Sequence, residues 1–233
     1  MNFLKIKNFL LVFLIIFSYL ISVAKTYAVD ITADRTISSS SDGDQYNIKT
    51  NNDIDVIVTN NSTLERNQKI FNVSAASLTG SSITIHLGSS VIAETNSIFS
   101  NGAELTITNT GTIEATNSKA INVSNSDGVS ITNNNNGVIK SNNNTILGDA
   151  GTGADNVTID NSGEIYTTAT GTESSAIVFA NNDTGNTITN NSGGEIYSSG
   201  SESTIVLGVS STLTNSGSIK NNKSVTNKAI QLK

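Results

Sequence analysis

With 233 residues the chain has room for one domain or two, and the absence of Cys excludes a disulfide framework, thiol catalysis and Cys-based metal sites. The formal net charge is −6; the first 28 residues carry three Lys and no acid, so everything after them sets ten basic against nineteen acidic side chains. An acidic surface with two Arg argues against nucleic acid, which needs basic patches, and regularly placed Ile, Val and Thr argue against a purely disordered chain.

The N-terminus reads as a targeting segment. Lys5 and Lys7 precede an apolar run from Phe9 to about Val23, followed by the small residues Ala24, Thr26 and Ala28. This is the order of a secretory signal peptide spanning 1–28, with cleavage after Ala28. The run is shorter than the roughly 20 residues of a spanning helix. The expected product is therefore exported: to the cell surface or outer membrane, the extracellular space or the periplasm. Residues 29–53 show no clear repeat and read as an N-terminal cap or leader, since solenoids need polar ends.

From 54 to 233 the chain repeats. One segment recurs as LTITNTGTIEA (105–115), VSITNNNNGVIKS (129–141), VTIDNSGEIYT (157–167), TITNNSGGEIYS (187–198) and TLTNSGSIKN (212–221), with weaker copies at 83–94 and 54–64. A second segment follows each copy, centred on Phe71, Ile98, Ile121, Ile146, Ile177, Ile205 and Ile230. Each period holds three short pieces in which apolar and polar residues alternate, so each piece buries one face and exposes the other. Three strands per coil of roughly 25 residues predict an all-β parallel β-helix of about seven three-strand coils. Inward positions then become ladders at the roughly 4.8 Å strand spacing. Ile107, Ile131, Ile159, Ile188 and Leu213 form one ladder, and Ile113, Ile139, Ile165, Ile196 and Ile219 another. No coil can bury its apolar face alone. The absence of Pro fits, because Pro would remove ladder donors. Asn109, Asn161, Asn190 or Asn191, and Asn215 fall at the first turn and predict an Asn ladder whose role is turn architecture.

The signal peptide, the repeated (T)-I-T-N-x-G-x-I pattern, the Asn/Ser/Thr/Gly bias and the lack of Cys together resemble the passenger domain of bacterial autotransporters, over roughly 50–233. The resemblance implies a right-handed helix of the pectin-lyase-like type at the cell surface, often adhesive. A complete autotransporter also ends in a translocating β-barrel, which these 233 residues do not include, so a passenger fragment, a truncated product or a passenger exported by another route is expected, and its open last coil is an edge suited to self-association.

Chemistry-bearing residues are sparse. Arg35 and Arg66 precede the regular coils, His86 lies in ITIHLG without a readable triad, and the Ca²⁺-binding G-G-x-G-x-D repeat is absent. No cofactor, metal or catalytic residue is expected. Glu164 and Glu195 hold equivalent places in adjacent coils, as do Tyr166 and Tyr197; a stacked carboxylate pair and a stacked aromatic pair are the candidate glycan contacts. Thr106, Ser130, Thr158, Thr187 and Thr212 align in one outward row, and Thr108, Thr132, Thr189 and Thr214 in another that Asp160 interrupts. The function read from this is a structural or adhesive scaffold contacting a host or environmental surface or glycan through a long repetitive face. A polysaccharide-binding or polysaccharide-degrading β-helix and an ice-binding solenoid are the alternatives.

Overall fold

The computed structural model describes residues 28–49, 53–59, 61–74, 79–102, 104–148, 153–179, 182–222 and 228–232; the targeting segment, Ala28 apart, lies outside them. Among the described residues the chain forms only strands and turns, and it is a parallel β-solenoid. Ile, Val and Thr suit a pleated, half-buried surface, and the strands are two to five residues long, with turns rich in Asn, Gly and Ser between them. No strand pairs within its own coil. Each pairs in parallel with its equivalent in the coils before and after, giving three sheets of nine, eight and eight strands.

We name the sheets A, B and C. Sheet A runs through Phe71–Val73, Ile98–Ser100, Ile121–Asn122, Ile146–Leu147, Ile177–Val178, Ile205–Leu207 and Ile230–Leu232. Sheet B includes Leu105–Asn109, Ser130–Asn133, Thr158–Asn161, Thr187–Asn190 and Thr212–Asn215; sheet C includes Thr112–Ala115, Val138–Ser141, Glu164–Thr167, Glu195–Ser198 and Ser218–Asn221. The registers carry both expected inward ladders: Ile107, Ile131, Ile159, Ile188 and Leu213 in sheet B, and Ile113, Ile139, Ile165, Ile196 and Ile219 in sheet C. Their central members are fully buried, and burying such a side chain contributes about 1.5–3 kcal/mol. Leu213 and Ile219 are only partly buried.

The stack also extends before residue 54. The stretch 29–53, which shows no repeat in the sequence, supplies strands to all three sheets: Arg35–Ile37 in sheet B, Ser41–Asp42 in sheet C, and Gln45–Ile48 in sheet A, which in turn pairs with Ala28–Ile31. These residues continue the solenoid as a further coil. The ladder position held by Ile in most later coils is Tyr46 here, in register with Phe71 and with ring centroids 5.5 Å apart.

Each corner has its own polar device. Between sheets B and C, the last residue of each sheet B strand from Leu105–Asn109 onward is an inward Asn, where the strands before it end in Ile37, Val58 and Ile85. The Nδ2 of Asn109 donates to Asn133 Oδ1 at 2.9 Å, and Asn133, Asn161 and Asn190 each donate likewise to the next Asn at 2.8 Å, ending on Asn215. The expected ladder is thus present, with Asn190 rather than Asn191 in it and with Asn133 added. Two residues on, Gly is required by close approach: a Cβ on Gly163 would lie 2.2 Å from the Gly137 carbonyl oxygen. N-x-G in the coils of Asn109, Asn161 and Asn215, lengthened to N-x-x-x-G at 133–137 and 190–194, therefore encodes this corner. Between sheets C and A, buried hydroxyls bridge successive coils, Thr145 donating to the Tyr166 carbonyl at 2.7 Å and Thr204 to that of Lys220 at 2.8 Å. Between sheets A and B, left-handed residues stack, Asp53 beneath Gly80 and Asn156 beneath Gly185.

Candidate functional site on the outer face of sheet C

Sheet C points its Ile ladder inward, so the alternate residues point out. They form two rows. One is Thr112, Val138, Glu164, Glu195 and Ser218; the other is Glu114, Lys140, Tyr166, Tyr197 and Lys220. Both pairs anticipated from the repeat are side by side, Glu164 on Glu195 and Tyr166 on Tyr197.

The tyrosine rings stack with centroids 4.5 Å apart and planes 7° from parallel. Each ring gives one face to the other, and the row places Lys140 beyond Tyr166 and Lys220 beyond Tyr197. What the pair offers a partner is ring edge and hydroxyl. The Tyr197 hydroxyl donates to Glu164 Oε2 at 3.4 Å. Burial, with Tyr166 and the Glu164 and Glu195 carboxylates adding to it, holds this phenol well above the usual tyrosine range, so it stays a hydrogen-bond donor at neutral pH.

The flanking lysines are neutralised. Lys140 Nζ lies 2.9 Å from Glu114 Oε2, and Lys220 Nζ lies 3.9 Å from Glu195 Oε1. The Glu114 hydrogen bond raises the Lys140 pKa against the opposing effect of burial. Beside the carboxylate pair runs a groove of about 490 Å³, bordered by Asn135, Asn136, Ser162, Ser192, Glu164 and Glu195. A second, of about 330 Å³, runs along Glu114, Lys140, Asn142, Tyr166 and Thr168. Both lie within the common size range of ligand sites. Their carboxylates, amides and hydroxyls can exchange hydrogen bonds with a polyhydroxylated partner, repeating at the strand spacing.

The other sequence candidates lie apart from this face. His86 is exposed, immediately after the strand Ser81–Ile85 rather than within it, with Nδ1 3.3 Å from Thr59 Oγ1. The Arg35 guanidinium lies 5.5 Å from the centroid of the Tyr46 ring. The aligned Thr106, Ser130, Thr158, Thr187 and Thr212 stand in register on sheet B, as do Thr108, Thr132, Asp160, Thr189 and Thr214. No group of three or more His, Asp or Glu is placed to hold a metal ion among the described residues. The sequence reading left out Lys140 and Lys220 on the sheet C face; their signal was the alignment of IKS and SIKN with EIYT and EIYS.

The fold and this face define a parallel β-solenoid with one polar, aromatic-bearing side. Comparison with protein-family models, with curated proteins and with solved structures finds no match for this chain.

Proposed function

We propose that this chain is an exported β-solenoid scaffold of the autotransporter-passenger type, displayed at or released from the cell surface, with a structural or adhesive role. The outer face of sheet C holds glycans through several weak contacts rather than in one deep pocket. The observation that carries this reading is the in-register pairing of Glu164 with Glu195 and Tyr166 with Tyr197 beside an open groove. The targeting segment supports export, and the solenoid supports repetition of a contact along its length.

The test is retention of the purified protein on an array of immobilised glycans, compared with a Glu164→Gln, Glu195→Gln, Tyr166→Ala, Tyr197→Ala variant whose circular dichroism is unchanged. At least a tenfold loss of retention is expected. Retention equal to that of the parent would overturn the reading. The in-register Thr row of sheet B favours one second reading, an ice-binding face, and thermal hysteresis in a freezing-point assay would support it in place of the first.

A further inference from the structure

The inward position that closes each sheet C strand is small in most coils. Ala93, Ala115, Ser141, Thr167 and Ser198 follow one another there in register, all buried. In the strand Thr63–Arg66 this position is Arg66, paired with Ala93. The preceding strand, Ser41–Asp42, pairs as far as Glu65, and the next residue, Gly43, donates its N–H to the Glu65 carbonyl at 2.9 Å. Gly43 brings no side chain to the end of that pairing.

Arg66 is 8% exposed. Its Nη1 donates to Gln45 Oε1 at 3.0 Å and its Nη2 to Gln68 Oε1 at 3.3 Å, while its Nε meets no partner among the described residues. These bonds fix both amides with their carbonyls on the guanidinium and their NH₂ groups directed away from it. The Gln45 NH₂ is taken up by Asn47 Oδ1 at 2.6 Å, which also accepts from Asn72 at 3.2 Å. Asn47 passes the polarity on, donating to Asp30 at 3.0 Å. The Gln68 NH₂ is exposed and has no such partner among the described residues.

Gln45, Gln68, Lys69, Asn72 and Thr95 line a groove of about 400 Å³. Lys69 is half-buried, its Nζ 3.6 Å from the centroid of the Phe99 ring, and burial lowers its pKa from the ordinary lysine value. The ion pairs among the described residues are Lys49–Asp30, Lys119–Glu173, Lys140–Glu114 and Lys220–Glu195. Neither Arg66 nor Lys69 is in one, although Asp44 acts on Arg66 at longer range. Lys69 in the groove and the Arg66 guanidinium behind Gln45 and Gln68 are both partly desolvated cations outside those ion pairs, so the groove favours an anion.

We propose that this groove is a binding site for an acidic sugar, its carboxylate between the Lys69 ammonium and the Gln68 amide and its hydroxyls on Gln45, Asn72 and Thr95. Arg66 is a positioning residue: it holds Gln68 with the donor end outward. Carboxamides and a hydroxyl around a single anion-binding point suit a polyhydroxylated ligand better than a bare ion. The site shares no residue with the sheet C face and stands or falls independently of it.

The test is calorimetric titration of the purified protein, at low ionic strength, with glucuronate, with glucose and with acetate. Glucuronate should bind at least tenfold more tightly than either of the others, and raised salt should weaken it. Lys69→Gln and Gln68→Glu, both at solvent-accessible positions, should each weaken glucuronate at least tenfold with unchanged circular dichroism. Arg66→Met is avoided as the main variant because it alters the buried corner. Glucose binding as tightly as glucuronate, or Lys69→Gln leaving affinity unchanged, would overturn the site. Acetate binding as tightly as glucuronate would overturn its assignment to a sugar.

Discussion

Asn161→Ala is the perturbation that best separates this solenoid from a stack held by apolar ladders alone. Asn161 is fully buried. Its Nδ2 donates to Asn190 Oδ1 at 2.8 Å, to the Gly163 carbonyl at 3.1 Å and to the Glu195 carbonyl at 3.3 Å, and its Oδ1 accepts from Asn133 at 2.8 Å. Truncation leaves the Gly163 carbonyl weakened but not orphaned, because it also accepts the backbone N–H of Glu195. Asn133 keeps the Gly137 and Glu164 carbonyls as acceptors. Asn190 Oδ1 loses its donor while remaining buried, which costs about 1–3 kcal/mol, and the lost side-chain contacts add to this. A loss of about 3 kcal/mol is expected, or about 6–12 °C in the thermal midpoint for a chain of this size. Asn215→Ala is the control. Asn215 is exposed and takes only the ladder's last bond, and Asn190 keeps the Gly194 and Ser218 carbonyls at 3.2 Å, so less than about 1 kcal/mol is expected. Urea unfolding followed by circular dichroism reads both, at unchanged slope. Equal losses in the two variants would refute the claim that the interior amide row is a principal tie between coils.

Other outcomes follow from the same packing. Gly163→Ala should destabilise by more than about 2 kcal/mol, because its Cβ meets the backbone carbonyls of Gly137 and Asn134 and backbone cannot swing aside; urea midpoints read this. Ile165→Ala, in the fully buried middle of the sheet C ladder, should cost about 2–5 kcal/mol, and Ile219→Ala, half-buried in the same ladder, less than half as much. Ultraviolet titration should show one phenol ionising well above the ordinary tyrosine value; Tyr197→Phe should remove that step and Glu164→Gln should move it down. Because the folded chain keeps this proton where the unfolded chain releases it, stability due to Tyr197 is full below pH ~10 and falls as pH rises beyond it, measurable as a declining urea midpoint.

The candidate site was legible to the extent that a repeat specifies register. EIYT and EIYS align residue for residue, and parallel pairing at period 2 then puts Glu on Glu and Tyr on Tyr. How the rings turn was not legible, since stacking face to face or splaying apart is a choice of rotamer made by neighbours. The Asn ladder shows the same division. NNNN at 133–136 and NN at 190–191 offer several amides each, and only the point where the strand ends selects Asn133 and Asn190. Arg66 looked peripheral because it precedes the clear repeats; it is buried at the inward end of its strand, where the chain opposite continues as Gly43 without a side chain.

The sequence by itself determined the period, the three strands per coil, the inward Ile ladders and the faces on which Glu164, Glu195, Tyr166 and Tyr197 stand. All of these follow from alternation and spacing, which are properties of the chain alone. Only the tertiary structure decided that 28–48 joins the stack and that Gln45 and Gln68 are oriented by a buried guanidinium. Those outcomes depend on which side chain fills the space left by the next coil, and contacts between residues about 20 apart, such as Arg66 with Gln45, leave no periodic trace in a stretch that does not repeat.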